Sequence, residues 1–488
     1  MLLKDKLPKR KSGILMPLSS LPSNYGIGSL GIEAYKFIDF LCDTGQKYWQ
    51  MLPLVPLGEG NSPYKSPSCF AGEILYIDLD ILASEGLLSL SELPKCEFPT
   101  AIDFKKVRSI KIPLLKKATE NFNTDSRDYR VFSEENRDWL DDYAVFSTAM
   151  SLYNTEFLAD IPNFIKHRFG EDYETFLRDN EDTIRFYKVA QYFFYAQYFE
   201  LKRYAENKGV MIIGDIPFYV SPDSADVWGE PENFLLNKDL KPDIVAGVPP
   251  DYFSETGQLW GNPIYNWDYL RENGYDWWIK RLKHYLKVFD VLRIDHFRAF
   301  ADYYTIPAES ADARSGKWEQ GEGINFWQVA TGKIGGMRII VEDLGAQTPL
   351  VNELVKDTGF PNMRVLQFGF SGDANNPHRP ENFDQNCVVY TGTHDNNTTL
   401  GYYNTANPYE KEIIEKINPQ YKIPLNLIKL AMDSDANTVI IPIYDYLMLD
   451  ENSRINVPGK PTGNWTFRVQ KDYLSEELFE IVNSIARK

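Results

Sequence analysis

Cysteine and histidine are scarce in this chain, with four Cys and five His among 488 residues. Cys42, Cys69, Cys96 and Cys387 lie far apart and form no C-x-x-C pair, the pattern of neither a zinc framework nor a disulfide scaffold. They read as buried free thiols in a reducing compartment. Long apolar runs are missing too. No segment approaches 18 uninterrupted apolar residues, so no membrane span is expected. The first ten residues carry charge but neither the apolar stretch nor the small-residue cleavage site of a secretory signal, and the expected location is cytoplasmic. Positive charge is in deficit: 52 Lys and Arg face 69 Asp and Glu, a net charge of -17. That balance opposes nucleic acid and anionic membrane as partners and leaves a neutral ligand open.

Aromatic residues are plentiful, with 30 Tyr, 29 Phe and 10 Trp. Most must serve the core, although aromatic faces also suit the C–H faces of sugars. Short apolar, β-branched runs recur along the chain and end in Gly, Pro, Asp or Asn. They cover 13–18, 48–55, 210–215, 291–295, 338–343, 363–368, 387–391 and 438–442. Such runs suit strands buried on both faces of a parallel sheet. Helical patterns precede several of them, and eight alternations predict an α/β fold, a (β/α)8 TIM barrel formed by one catalytic domain over 1–488. Two connections are too long for simple crossovers. Residues 56–209, after the second strand, are expected to form a mostly helical subdomain. Residues 216–290, after the third, read as an ordered loop assembly rich in Pro, Trp, Tyr and Gly. The stretch after the eighth strand is too short for a C-terminal β-sandwich.

Carboxylates cluster where the runs end, the rim on which barrel enzymes build active sites. In Arg293-Ile-Asp-His-Phe-Arg298, Arg293 and Asp295 are two apart and share a strand face. An arginine so placed favours the charged carboxylate a nucleophile needs, although a plain salt bridge has the same spacing. Glu342 follows Ile339-Ile-Val341, and partial desolvation there would raise its pKa toward general-acid duty. Asp343 points away and reads as a loop or helix-cap group. Asp395 lies in the polar stretch Thr391-Gly-Thr-His-Asp-Asn-Asn-Thr398, with a helix N-cap as the alternative. Asp215 ends the third run. Independent salt bridges would not choose the same end of successive strands. Two carboxyl groups flanking a bond, one acid and one nucleophile or base, are the apparatus for cleaving a glycosidic bond. A metal site is disfavoured because His296 and His394 lack helical or finger-type spacing, although ligands from different strands stay open.

Several further motifs follow in order along some 450 residues. They are Asn61-Ser-Pro-Tyr-Lys-Ser-Pro-Ser68, Gly214-Asp-Ile-Pro-Phe-Tyr-Val220, Ser224-Ala-Asp-Val-Trp228, Ala246-Gly-Val-Pro-Pro-Asp-Tyr-Phe253 and Gln258-Leu-Trp-Gly-Asn-Pro263, with Gly463-Asn-Trp465 near the end. Together with the three carboxylate motifs they resemble the amylomaltase family, bacterial 4-α-glucanotransferases related to the α-amylase clan. The resemblance implies Asp295 as nucleophile, Glu342 as acid/base and Asp395 as the third carboxylate, which distorts and holds the sugar at the cleavage subsite. It implies Arg293, His394 and Tyr64 around that same sugar, and Asp215 as support. The 246–263 loop is similar to a flap over the glucan groove, with Asp251 and Trp260 as contacts, and Asn464 is implied as a further one. One departure concerns Asn376-Pro-His-Arg379, so His378 is not carried over as a sugar contact.

The implied partners are α-1,4-glucans and malto-oligosaccharides, transferred by a retaining double displacement, with no cofactor and no metal. Oligomeric state is left open. Residue chemistry does not separate sugar from water as acceptor, so an α-amylase-type hydrolase is the alternative. A non-catalytic glucan-binding protein would need the three carboxylates to be structural.

Overall fold

A computed structural model describes residues 6–94, 101–250, 254–345 and 348–487. Twelve strands occur among them. They are β1 (Lys11–Leu15), β2 (Tyr48–Gln50), β3 (Met211–Ile216), β4 (Ile244–Val248), β5 (Gln258–Pro263), β6 (Val291–Ile294), β7 (Asp302–Pro307), β8 (Lys317–Gln320), β9 (Ile339–Val341), β10 (Asn362–Val365), β11 (Cys387–Tyr390) and β12 (Thr438–Pro442). Eight close into a barrel in the order β1-β12-β11-β10-β9-β6-β3-β2, every pairing parallel. These eight are the β-branched runs of the sequence, and the predicted (β/α)8 barrel is the fold. The physical reason is plain: each run is buried on both faces, as Val291–Ile294, Cys387–Tyr390 and Thr438–Pro442 are along their whole length.

Between β2 and β3 the chain runs through helices that include Phe104–Glu120, Arg137–Tyr153 and the 27-residue Glu181–Asn207. Two fully or largely buried glutamines of the last helix hold the incoming segment as a strand partner would. Gln191 exchanges hydrogen bonds with the amide (2.7 Å) and carbonyl (2.9 Å) of Gly72, and Gln197 does so with Asp78 (2.7 and 3.1 Å). Backbone polar groups that would otherwise be buried without partners are thus satisfied. The segment that follows Tyr64 is thereby tied to this helix at Gly72 and Asp78.

One element has no counterpart in the sequence reading. Strands β4 and β5 pair antiparallel and continue through β7 to β8, making a four-stranded sheet in the order β5-β4-β7-β8. Half of it comes from the connection between β6 and β9, which the sequence presents as an ordinary crossover. Its strands are short, two are largely exposed, and their pattern is diluted by polar residues. The aromatic excess is mostly core, as expected: Trp278 and Trp327 are buried against Phe300 and Phe326, and Trp277 against Trp278 and Tyr265. Cys42, Cys69 and Cys387 are free thiols, and Cys96 lies outside the described residues. Among the described residues no helix is long and apolar enough to cross a membrane.

Gly214, next to Asp215 on β3, explains itself by what packs there. A Cβ at this position would lie 2.1 Å from the Phe289 ring. Gly214→Ala is expected to destabilise the barrel by about 1–3 kcal/mol through overpacking. Gly332→Ala, in a helix with nothing within 4 Å of the added carbon, is expected to be neutral or slightly stabilising. Thermal denaturation of the two variants checks this, and equal midpoints would refute the packing account.

Candidate active site

Neighbouring strands β3 and β6 lay the floor of the site. Asp215 and Arg293 are register partners, so their side chains rise side by side. Arg293, 3% exposed, donates through Nη1 to both carboxylate oxygens of Asp215 (2.7 and 2.6 Å). Its Nη2 donates to Oδ1 of Asp295 at 3.0 Å, the contact the Arg-x-Asp spacing predicts. Ile294, between them, is fully buried. The Tyr64 hydroxyl donates to Asp215 Oδ2 at 2.8 Å and so joins the same network. Burial works against the Arg293 charge, but the carboxylates of Asp215 and Asp295 outweigh it and lift the guanidinium well above its usual value.

Glu342 sits one residue beyond β9 and is held by backbone amides. Its Oε2 accepts from His296 N at 2.9 Å and its Oε1 from Leu344 N at 2.7 Å. The ladder itself continues past the strand ends, since Asp295 N donates to Ile216 O (2.9 Å) and Glu342 N to Ile294 O (3.0 Å). Both carboxylates are therefore anchored through sheet hydrogen bonding rather than on free loops. His296 adopts left-handed backbone geometry (φ 51°, ψ 44°), which non-glycine residues seldom take, and its amide is the one that meets Glu342. Desolvation first, then the nearby Asp295 carboxylate, push the Glu342 carboxyl up to about 7, while Arg293 and the two amides restrain the rise.

The opposite wall comes from the β11 and β12 connections. His394 is buried and stacks on Tyr64, with ring centroids 5.2 Å apart and planes at 15°. Trp465 leans on the same tyrosine at 5.7 Å. Asp395 projects from the loop after β11, and its Oδ2 is 3.4 Å from His394 Nε2. Helix Thr399–Thr405 is capped by Thr398, whose hydroxyl accepts from Gly401 N, so Asp395 is not the N-cap the sequence left open. Together these groups border a cleft of about 540 Å³.

Tyr64, Asp295, His394, Asp395, Trp260 and Asn464 all line that cleft, with Asp215 and Arg293 packed beneath. Trp260, on β5, meets the His296 ring edge-on at 4.8 Å. The Asn464 side chain is spent within its own loop, accepting from Val457 N (2.9 Å) and donating to Lys460 O (2.8 Å). Asp251 lies outside the described residues. Asp343 is neither loop-exposed nor a helix cap. It is buried and accepts from Met363 N (3.1 Å) and Asn362 Nδ2 (3.2 Å), fastening β9 to β10, while Thr348 caps the following helix. His378 serves β10, its Nδ1 accepting the Val365 amide at 3.1 Å. Sequence reasoning missed Trp465, His296 and Asn456 as parts of this wall. Trp465 stands beside Asn464 in the Gly463-Asn-Trp465 motif, whereas Asn456 carries no local signal at all. Among the described residues no group of three His, Cys, Asp or Glu could hold a metal ion.

The raised Glu342 carboxyl has a thermodynamic consequence. Its ordinary pKa is 4.5 and its folded value about 7, so the folded protein holds a proton that the unfolded chain releases between these pH values. Stability from this group is fully present below pH 4.5 and is lost as pH rises through about 7. Glu342→Gln should therefore gain stability relative to wild type on moving from pH 4 to pH 8. Thermal midpoints of both proteins across that range check it, and a constant difference would contradict the assigned environment.

Comparison with known proteins agrees with this arrangement. The family described as 4-alpha-glucanotransferase matches residues 16–474. The 4-alpha-glucanotransferase of Clostridium butyricum is 42% identical over 481 residues, covering 97% of this chain and 99% of that protein. That of Thermus thermophilus is 40% identical over 484 residues, covering 96% of each. Among solved structures, the amylomaltase from Streptococcus agalactiae in complex with acarbose superposes with a TM-score of 0.95 at 38% identity, covering 98% of both chains. Amylomaltase from Corynebacterium glutamicum, at 17% identity and a TM-score of 0.78, covers 99% of this chain and 75% of its own and shares the fold. With a match that runs from just after the first barrel strand to beyond the last, the chain belongs to the 4-α-glucanotransferase family.

Proposed function

We propose that this protein transfers α-1,4-glucan segments from donor to acceptor malto-oligosaccharides by a retaining double displacement, with Asp295 as nucleophile and Glu342 as acid/base. The observation that carries the reading is the pairing of unlike carboxyl environments at one rim. Glu342 is desolvated and raised to about 7, while Asp295 takes a hydrogen bond from a buried arginine. Family membership supplies the choice of a glucan, rather than water, as acceptor.

In the first step Glu342 gives its proton to the glycosidic oxygen as the bond from that oxygen to the anomeric carbon breaks. An Asp295 oxygen bonds to the same carbon, leaving a covalent glycosyl-enzyme. In the second, Glu342 takes the proton of an acceptor 4-hydroxyl, whose oxygen attacks the anomeric carbon and frees Asp295. Two inversions restore the α-linkage. Arg293 stays charged throughout and donates to Asp295, and its partner Asp215 fixes the guanidinium in place. Asp395 and His394 hold the sugar at the cleavage point, with the Tyr64 ring as an apolar platform beside them. Trp260 offers its ring to the glucan further along the groove, beside the loop that Asn464 braces.

Asp295→Asn is expected to abolish turnover, by at least about 1,000-fold, without loss of folding. With maltotriose alone, the wild-type protein should make glucose together with a ladder of longer glucans. Shorter products only would establish a hydrolase instead. The pH profile gives a separate test. Glu342 must start protonated, so turnover should fall as pH rises through about 7. A profile still rising above pH 8 would remove Glu342 from the acid role.

A further inference from the structure

We propose that Asn456, braced by Arg454, is the positioning residue of Asp395, fixing the third carboxylate in the orientation that glycosyl transfer needs. The inference rests on the role proposed above for Asp395.

The residues after β12 take hold of the β11 loop at several points. From below, the fully buried Asp445 accepts from Thr391 Oγ1 (2.5 Å), Thr399 N (2.8 Å) and Thr399 Oγ1 (2.7 Å), closing the two ends of the loop on one carboxylate. The Tyr444 hydroxyl donates to Thr393 O at 3.0 Å. From above, Arg454 Nη2 donates to the backbone oxygen of Asp395 at 2.5 Å, and Asn456 N donates to His394 O at 3.1 Å. These contacts fix the backbone of residues 391–399. The Asp395 side chain is a separate matter. It is 42% exposed in the cleft, and its Oδ2 meets His394 Nε2 only at 3.4 Å. Asn456 Nδ2 constrains the carboxylate by donating to Oδ1 at 2.6 Å. Arg454 Nε in turn donates to the backbone carbonyl of Asn456 at 2.7 Å, so the main chain that carries the amide is itself held.

A neutral amide suits this task. An arginine in its place would orient Asp395 and also neutralise it, as Arg293 balances the paired carboxylates of the floor. Asn456 takes a lone pair of Oδ1 and leaves Oδ2 toward His394 and the cleft, with the negative charge intact for sugar hydroxyls or developing positive charge. Asn456 lines the cleft through its side-chain neighbourhood with Asp395 yet spends its donor on the carboxylate.

The test is steady-state glucose release from maltotriose by Asn456→Ala, Asn456→Asp and Asp395→Ala, with thermal midpoints for each. Asn456→Ala should lower kcat by about 10- to 100-fold, the weight of one hydrogen bond to a charged group, while KM changes less than about threefold. Asn456→Asp keeps the shape and decides the matter if the alanine variant does not fold. Two carboxylates at this spacing cannot both ionise readily. At pH 5 their shared proton keeps a donor where the amide stood, and at pH 8 the pair repels. The kcat of Asn456→Asp relative to wild type should therefore fall by about tenfold or more between pH 5 and pH 8. A merely structural asparagine would give a loss independent of pH. That result, or a kcat within twofold of wild type for a folded Asn456→Ala, overturns the inference. Asp395→Ala separates the two readings: substantial turnover there would overturn the role of Asp395 itself, whereas a dead Asp395→Ala beside a fully active Asn456→Ala would overturn only the positioning by Asn456.

Discussion

A guanidinium buried to 3% exposure must be matched by negative charge, because an unpaired charge cannot be left in a barrel interior at tolerable cost. Arg293 meets that constraint with Asp215 on its neighbouring strand and Asp295 two residues along its own. The match is geometric as well as electrostatic. It requires β3 and β6 to pair in the register that sets Asp215 against Arg293, and a slip of one residue would turn one of the two toward the helix layer. The same register carries Asp295 to the rim and, through Ile294 O, sets the height of Glu342 on the next strand. Tyr64 joins the network from the segment that, further along at Gly72 and Asp78, is hydrogen-bonded to helix Glu181–Asn207.

The site uses different physical means for each carboxylate. Arginine balances Asp215 and Asp295, backbone amides grip Glu342, and a neutral side-chain amide meets Asp395. Glu342 is desolvated and carries two amide donors but, among the described residues, no hydrogen-bonded cation, so its proton is held to about neutral pH. Acid and nucleophile functions can then coexist on one rim at one pH.

Local patterns made much of this readable. The eight β-branched runs each became a barrel strand because burial on both faces leaves no alternation to blur them. The i, i+2 spacing of Arg293 and Asp295 was enough to put them on one face. Other features had no local signature. A position just after a strand suggests a cap for Asp343, but the groups it satisfies, Met363 N and Asn362, lie twenty residues on. Strands β7 and β8 are short and partly exposed; they pair with each other, and β7 also pairs with β4, some sixty residues earlier. Asn456 stands 61 positions from the carboxylate it meets.

By itself, then, the sequence determined the barrel class and the residues whose chemistry follows from spacing along one strand, Arg293 with Asp295 foremost, because strand periodicity is a local property. Its ordered motifs also determined the family. Tertiary structure alone decided what surrounds each group: the amides of His296 and Leu344 on Glu342, the stacking of Tyr64 on His394, and the hydrogen bond from Asn456 to Asp395. Desolvation and hydrogen-bond partners arise where distant segments meet. They set which carboxyl keeps its proton and which way it points, and no pattern along the chain encodes them.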